Sequence, residues 1–231
     1  MNVNIMNMDN AYRYAIYAVP LPGHPLWAAA TRWFGRDVRG VAPPEKPIHG
    51  DLVAQAARYG FHGTLKAPFR LAPGREARDL LAATAALAVS PLPVSLTIRD
   101  DLGFPALMPF MEVPALNQLA ERCVIELDRF RAPPDAAELA RRRSNGLTDG
   151  QALMLETWGY PYVLDQFSYH MTLGDKTEDM NRHHTMMAGA HRLFGPLIGT
   201  PVPLTLSIFA EPEQGAPFRL WRQLLPNLSM A

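Results

Sequence analysis

A single cysteine among 231 residues, Cys123, excludes an internal disulfide and any cysteine-ligated zinc or iron–sulfur centre. Such sparing use fits a reducing cytoplasm. No sign of charge is in excess either, with 22 Lys+Arg against 22 Asp+Glu. A chain of zero formal charge has no whole-molecule field to gather nucleic acid or an anionic membrane, so an anionic ligand has to be small. Long apolar runs are missing as well: stretches such as Leu80 to Val89 fall far short of the roughly 20 residues that span a bilayer. The opening residues lack the basic start and apolar stretch of a secretion signal, and residues 1–11 read as a flexible tail. No low-complexity run and no Gly-rich phosphate loop is present, because Pro22-Gly23 and Pro73-Gly74 read as turns.

What the chain does have is a 48% hydrophobic composition, enough for a sizeable core, and 22 prolines that cut it into short elements. Alternating patterns predict strands over 12–19, 60–67, 94–99, 107–113, 166–174, 204–209 and 218–225. Helical patterns cover 25–34, 51–59, 75–89, 115–130, 135–143, 148–158 and 178–194, with Thr148 or Asp149 and Thr177 as caps. This mixture reads as α+β with a mainly antiparallel arrangement.

An internal repeat organises these segments. His62-Gly63-Thr64-Leu65 is followed by a helix, by the strand Pro91-Leu92-Pro93-Val94-Ser95-Leu96-Thr97-Ile98, and by a strand near Leu107. His170-Met171-Thr172-Leu173 is followed by a helix, by Pro201-Val202-Pro203-Leu204-Thr205-Leu206-Ser207-Ile208, and by a strand near Phe218. Retention of both features in order points to duplication, with units at about 60–113 and 166–225. Two copies packed about a pseudo-two-fold axis give duplicated strand-helix-strand-strand units around a central cleft between two mainly antiparallel sheets, all in one domain over 12–226.

Side chains two apart share a strand face. Phe61, Leu65 and Ala67 therefore lie opposite His62, Thr64 and Lys66, and Tyr169, Met171 and Leu173 lie opposite Ser168, His170 and Thr172. Two imidazoles near neutrality can act as base and acid, and the two threonine hydroxyls can donate to an anion beside them. Lys66 reads equally as an anion-neutralising cation and as a solvated strand-end lysine. In the Arg141-Arg142-Arg143 run a contact to a second anionic group competes with a simple complement to the helix dipole, and Arg142 joins Tyr14 as a substrate-binding candidate. His183, His184 and His191 lack a carboxylate partner at ligand spacing, so they read as surface residues and no metal or cofactor is expected. Met186, Met187, Trp27 and Trp33 read as packing residues.

The two His-x-Thr motifs resemble those of the two-histidine phosphoesterase superfamily, which includes RNA-ligase-like cyclic phosphodiesterases. That resemblance implies a bilobal fold over about Tyr12 to Leu225. A narrower likeness is carried by Arg13-Tyr14-Ala15-Ile16-Tyr17, by the run from Tyr59 to Phe69, by Phe130-Arg131-Ala132-Pro133, by Glu138-Leu139-Ala140-Arg141-Arg142, by Trp158-Gly159-Tyr160-Pro161-Tyr162-Val163 and by Phe167 to Leu173. These are similar to an uncharacterised branch associated with bacterial phosphonate-utilisation gene clusters. Gly63 stands where that branch more usually has alanine, and a change between two small residues reads as neutral.

Together these features imply a cytoplasmic, monomeric phosphoric diester hydrolase, with His62, Thr64, His170 and Thr172 as its catalytic residues and no metal. Its substrate would be a small cyclic phosphate ester, such as a phosphoribosyl cyclic phosphate in phosphonate metabolism. An RNA 2',3'-cyclic phosphate or 2'-5' linkage remains open, with nucleic acid engaged only as a short end. So does a nucleotide or phosphosugar binding module without turnover.

Overall fold

A strand hidden on both faces shows an unbroken apolar run in place of alternation, and Tyr14 to Pro20 is buried at every residue. The computed structural model describes residues 8–40, 46–143 and 146–225. In chain order their elements are β1 (Arg13–Pro20), α1 (Leu26–Phe34), α2 (Ala54–Tyr59), β2 (Gly63–Phe69), α3 (Ala77–Ala86), β3 (Leu92–Val94), β4 (Leu96–Arg99), β5 (Ala106–Pro109), α4 (Pro114–Glu126), α5 (Ala136–Arg143), α6 (Asp149–Trp158), β6 (Met171–Thr172), α7 (Met180–Phe194), β7 (Val202–Glu211) and β8 (Arg219–Leu224).

The burial of β1 follows from its place in the sheet. It pairs with β7 from Arg13↔Glu211 to Pro20↔Leu204 and with β2 on its other edge. The described strands run β3-β7-β1-β2-β6-β5-β4, with β8 on β7, and every pairing is antiparallel. The architecture is α+β. Where two sheets were expected there is one, and its halves join at β2–β6 through the pair Gly63↔Met171.

Two pairings set matched positions of the repeat against each other. Gly63 and Met171 each follow a motif histidine and pair, while Pro93 and Pro203 hold the same place in the two Pro-x-Pro strands and also pair. An antiparallel pair related by a two-fold axis has to bring equivalent residues together, so the pseudo-axis passes through both contacts. The third correspondence is not kept in space. β5 lies inside the sheet beside β6, the place β1 holds beside β2, whereas β8 is outermost. The chain changes halves at Ser95: β3 pairs with β7, and from Leu96 onward β4 pairs with β5.

The expected strand over 166–174 shrinks to Met171–Thr172. Leu173 N still donates to Pro105 O in the β5–β6 register, but Leu173 O turns from the ladder to accept from Trp33 Nε1 at 2.6 Å. Helix starts follow local capping chemistry. Thr148 and Gln151 form a reciprocal capping box on α6, while α7 is capped by Asp179, whose carboxylate accepts from Asn181 N and Arg182 N, and not by Thr177. Of the expected loose tail, residues 1–7 lie outside the described residues. Met8 is buried, and its carbonyl accepts from the Tyr14 hydroxyl at 2.6 Å, so residues 8–11 are held against the sheet.

Behind the histidine face, Trp33, Phe61 and Phe194 pack edge-on and stacked between α1, the sheet and α7, which makes the aromatic residues core as expected. Met186 is likewise fully buried. No helix among the described residues is long and apolar enough to cross a membrane.

The junction of the halves is tight. A Cβ on Gly63 would sit 2.2 Å from the Tyr169 ring, whose hydroxyl donates to Ala18 O. Alanine at this position is therefore not a neutral exchange in this chain, contrary to the expectation from residue size. We expect Gly63→Ala to lower the stability by roughly 1–3 kcal/mol through overpacking, read as a shift in the urea unfolding midpoint. Combining it with Tyr169→Leu should cost less than the sum of the two single changes.

Candidate functional site

His62 and His170 stand one residue before the junction pair. Continuing the Gly63↔Met171 register sets His62 opposite Thr172 and Thr64 opposite His170, all on one sheet face. The two histidines then lie diagonally across the strands, as neighbours roughly 7–8 Å apart by ordinary sheet geometry. Two fronts facing each other across a cleft were expected; the structure lays them side by side. All four residues line one cavity of about 560 Å³.

Each histidine is oriented by the same device. His62 Nδ1 is 2.8 Å from Gly60 O, and His170 Nδ1 is 2.9 Å from Ser168 O, in both cases the carbonyl two residues upstream. A carbonyl can only accept, so Nδ1 carries the proton and the neutral ring keeps Nε2 as an acceptor on the opposite side. At His62 that acceptor takes the Thr64 hydroxyl at 3.2 Å. The His62 ring also stacks on Tyr17, with centroids 3.7 Å apart, and His170 has Phe104 beside it at 5.9 Å.

Burial sets the charge state. Desolvation pushes the pKa of His62 down to about 4, against the Gly60 hydrogen bond that favours the charged ring and with a further lowering from His170. His170 is shifted the same way by burial, opposed by its Ser168 bond. Both imidazoles are thus neutral in the open cleft at neutral pH. Tyr17 lines the cavity and is fully buried, which raises its hydroxyl pKa, and that buried hydroxyl has no hydrogen-bond partner among the described residues.

The three weaker candidates fare differently. Lys66 is buried away from the histidines, its ammonium donating to Val124 O at 3.0 Å and to Asp128 at 3.1 Å. The reason is a bulge: the β1–β2 register slips between Tyr17↔Thr64 and Ile16↔Lys66, so alternation breaks and Ala67, not Lys66, follows Thr64 into the cavity. Neither a phosphate contact nor a solvated lysine describes it. Tyr14 lies on the other face of β1, fully buried, bonded to Met8 O and packed on Trp221. Arg142 belongs to α5, but its side chain lies outside the described residues.

Sequence reasoning missed the residues that share the cavity with the histidines. Arg13 and Tyr17 both line it, and the period of two along β1 signals this, because they are four apart on the face opposite Tyr14. Asp175 and Lys176 come from the loop after β6; the Asp175 carboxylate accepts from Gln55 N and Ala56 N at the start of α2. Burial raises the Asp175 pKa against those two bonds. His183 is not a surface residue: it is buried, with Nε2 3.1 Å from Asp100, while His184 and His191 are exposed. Among the described residues no group of three or more His, Cys, Asp or Glu side chains is placed to hold a metal ion.

Two curated relatives are each 35% identical to this chain. One, from Janthinobacterium sp. (strain Marseille), is matched over 95% of this chain and 52% of its own length; the other, from Laribacter hongkongensis (strain HLHK9), over 91% and 51%. The chain thus spans about half the length of these relatives. Both bear the name ribose 1,5-bisphosphate phosphokinase PhnN. A phosphokinase passes a phosphoryl group to an acceptor other than water, and this overturns the expectation of a phosphoric diester hydrolase. Residues 64–219, which include both threonines, His170 and the strands that carry them, match the family described as protein of unknown function (DUF1045), and the chain belongs to that family.

Proposed function

We propose that the His62–His170 cleft binds a small phosphorylated ribose and that the two imidazoles exchange protons with oxygens on its phosphoryl group. The observation that carries this reading is the repeated orientation of the rings, each with Nδ1 tied to the carbonyl two residues upstream and Nε2 left for the cavity. Thr64 and Thr172 supply hydroxyl donors on the same face, and Arg13 supplies a fixed positive charge. The relatives' name brings in the ribose phosphate class and supports a place in phosphonate metabolism. We keep the kinship with the two-histidine superfamily as part of this proposal, for the way its paired motifs handle protons.

The chemistry follows from the charge states. A phosphate entering between two neutral imidazoles makes protonation of one of them favourable, because the anion offsets the burial that disfavours the cation. That ring then donates to a phosphoryl or leaving oxygen, while the other, still neutral, accepts a proton from the attacking hydroxyl. Thr64, already bonded to His62 Nε2, can turn its hydroxyl to a phosphoryl oxygen when the ligand displaces that contact.

Titration calorimetry with ribose 5-phosphate and with unphosphorylated ribose tests the binding. We expect the phosphorylated sugar alone to bind, and His62→Ala or His170→Ala to weaken it roughly 10- to 100-fold. Phosphorus NMR of the protein with a ribose phosphate, with and without a nucleoside triphosphate, then reads whether any phosphorus changes its bonding. Binding with an unchanged spectrum would overturn the proton-transfer step, and failure to bind any ribose phosphate would overturn the reading as a whole.

The histidine charge states give a separate expectation. Nitrogen NMR should show His62 as the Nδ1–H tautomer, neutral until the pH falls to about 4, and ribose 5-phosphate should raise that midpoint. Since the folded pKa lies below the unfolded value near 6.5, the stability linked to neutral His62 is complete above about pH 6.5 and is lost as acid carries the pH down through 4. His62→Asn should flatten the melting-temperature profile in that window.

A further inference from the structure

In a sheet, the side chains that touch a given residue come from the adjoining strand, directly opposite it or diagonal to it. Tyr17 stands opposite Thr64 in the β1–β2 pairing and lines the histidine cavity, and its ring lies nearly flat against the His62 imidazole, with centroids 3.7 Å apart and planes at 21°. The stack is wedged in place. Phe209 of β7 packs against both rings, 4.9 Å from Tyr17 and 6.1 Å from His62, and Ser207 Oγ donates to the Tyr17 carbonyl at 2.9 Å. His62 is also engaged at both nitrogens, by Gly60 O and by the Thr64 hydroxyl.

The pseudo-axis that exchanges Gly63 with Met171 also exchanges Thr64 with Thr172, and so carries Tyr17 onto the residue opposite Thr172. That residue is Ala106. Alanine has no ring to lay on His170, whose aromatic neighbour is Phe104, 5.9 Å away and tilted by 58°. The carbonyls that orient the two rings differ in the same sense, since Gly60 is buried and Ser168 is exposed. A stacked aromatic face attracts a cation, but at His62 the loss of water outweighs it: burial is the largest influence on that ring and takes its pKa down to about 4.

We infer that Tyr17 is a positioning residue that reserves His62 for one of the two proton transfers: covered by Tyr17, His62 accepts the proton of the attacking hydroxyl, and His170, which has alanine at the matching place, gives the proton to the leaving oxygen. The inference rests on the ribose-phosphate reading of the cleft and deepens it. The Thr64 hydroxyl on His62 Nε2 occupies the place of the attacking hydroxyl. As that hydroxyl's oxygen bonds phosphorus, its proton passes to His62 Nε2, the phosphorus–oxygen bond to the leaving group breaks, and the departing oxygen takes the proton held on His170 Nε2.

Calorimetry of ribose 5-phosphate binding at neutral pH, in buffers of different ionisation enthalpy, counts the protons taken up with the ligand, and nitrogen NMR of the complex shows which ring holds them. We expect an imidazolium at His170 and a neutral ring at His62, with the uptake retained in His62→Asn and lost in His170→Asn. Tyr17→Phe, which keeps the ring and removes a buried hydroxyl without a partner, should leave this pattern unchanged. Tyr17→Leu should raise the His62 midpoint in the free protein by roughly one pH unit or more and leave that of His170 in place; Tyr17→Met, whose flexible chain fills irregular space, gives the same reading where Tyr17→Leu does not fold. An imidazolium at His62, or uptake lost in His62→Asn and kept in His170→Asn, overturns the assignment and leaves the ribose-phosphate site standing. An unmoved His62 midpoint in the folded Leu or Met variant overturns the role of Tyr17. Failure of ribose 5-phosphate to bind overturns the reading of the cleft, and this inference with it.

Discussion

Two copies of one strand can meet antiparallel about a two-fold axis only by laying equivalent residues against each other, and at Gly63↔Met171 this contact holds the two halves of the sheet together. The fit is enforced by Tyr169, whose ring occupies the space a side chain on Gly63 would need and whose hydroxyl reaches Ala18 O on β1. Because the contact falls one residue after each motif histidine, the register that joins the halves also brings His62, Thr64, His170 and Thr172 onto one face. Assembly of the sheet and assembly of the site are the same event. A slip of one residue would send all four to the opposite face.

Around that face the structure handles buried polarity in two ways. The imidazoles are kept neutral: burial opposes their charged form, and the carbonyls of Gly60 and Ser168 orient the rings without neutralising a cation. The fixed charges nearby are instead held in shared nodes, Glu211 with Arg13 and Arg58, and Asp128 with Lys66 and Arg131. An ion taken out of water without a partner costs several kcal/mol, and a carboxylate held between two cations meets that cost.

Much of this was legible in the residue pattern because repeats and strand alternation are local properties. The paired His-x-Thr motifs, the apolar back of their strands and the packing roles of Trp27 and Trp33 all follow from spacing alone. Lys66 was misread because a single extra residue in β2 reverses the alternation beyond Thr64, and no residue in Leu65-Lys66-Ala67 signals a bulge. The sequence reading names Tyr14 and passes over Tyr17, although the period of two along β1 places Tyr17 with Arg13. The two expected sheets became one because the chain changes halves at Ser95, a long-range choice that local pattern does not encode. The hydrolase expectation failed for a chemical reason: a pair of imidazoles moves protons equally well whether the acceptor of the phosphoryl group is water or another hydroxyl, so the motif does not name the acceptor.

The scaffold is nearly palindromic, but its furnishings are not. Only His62 has a stacked tyrosine and a threonine hydroxyl on Nε2, while His170 stands beside Phe104 with the Lys176 ammonium on that same ring. A cavity lined by Arg13, Arg58, Arg70 and Arg131 adjoins the histidine cleft and shares Arg13, Tyr59 and Pro68 with it. A frame that by symmetry would accept a ligand in either sense therefore has a polarity, with one end rich in arginine and the other formed by the loop after β6. The paired strands frame the cradle, and the difference between its two ends gives it a single direction of reading.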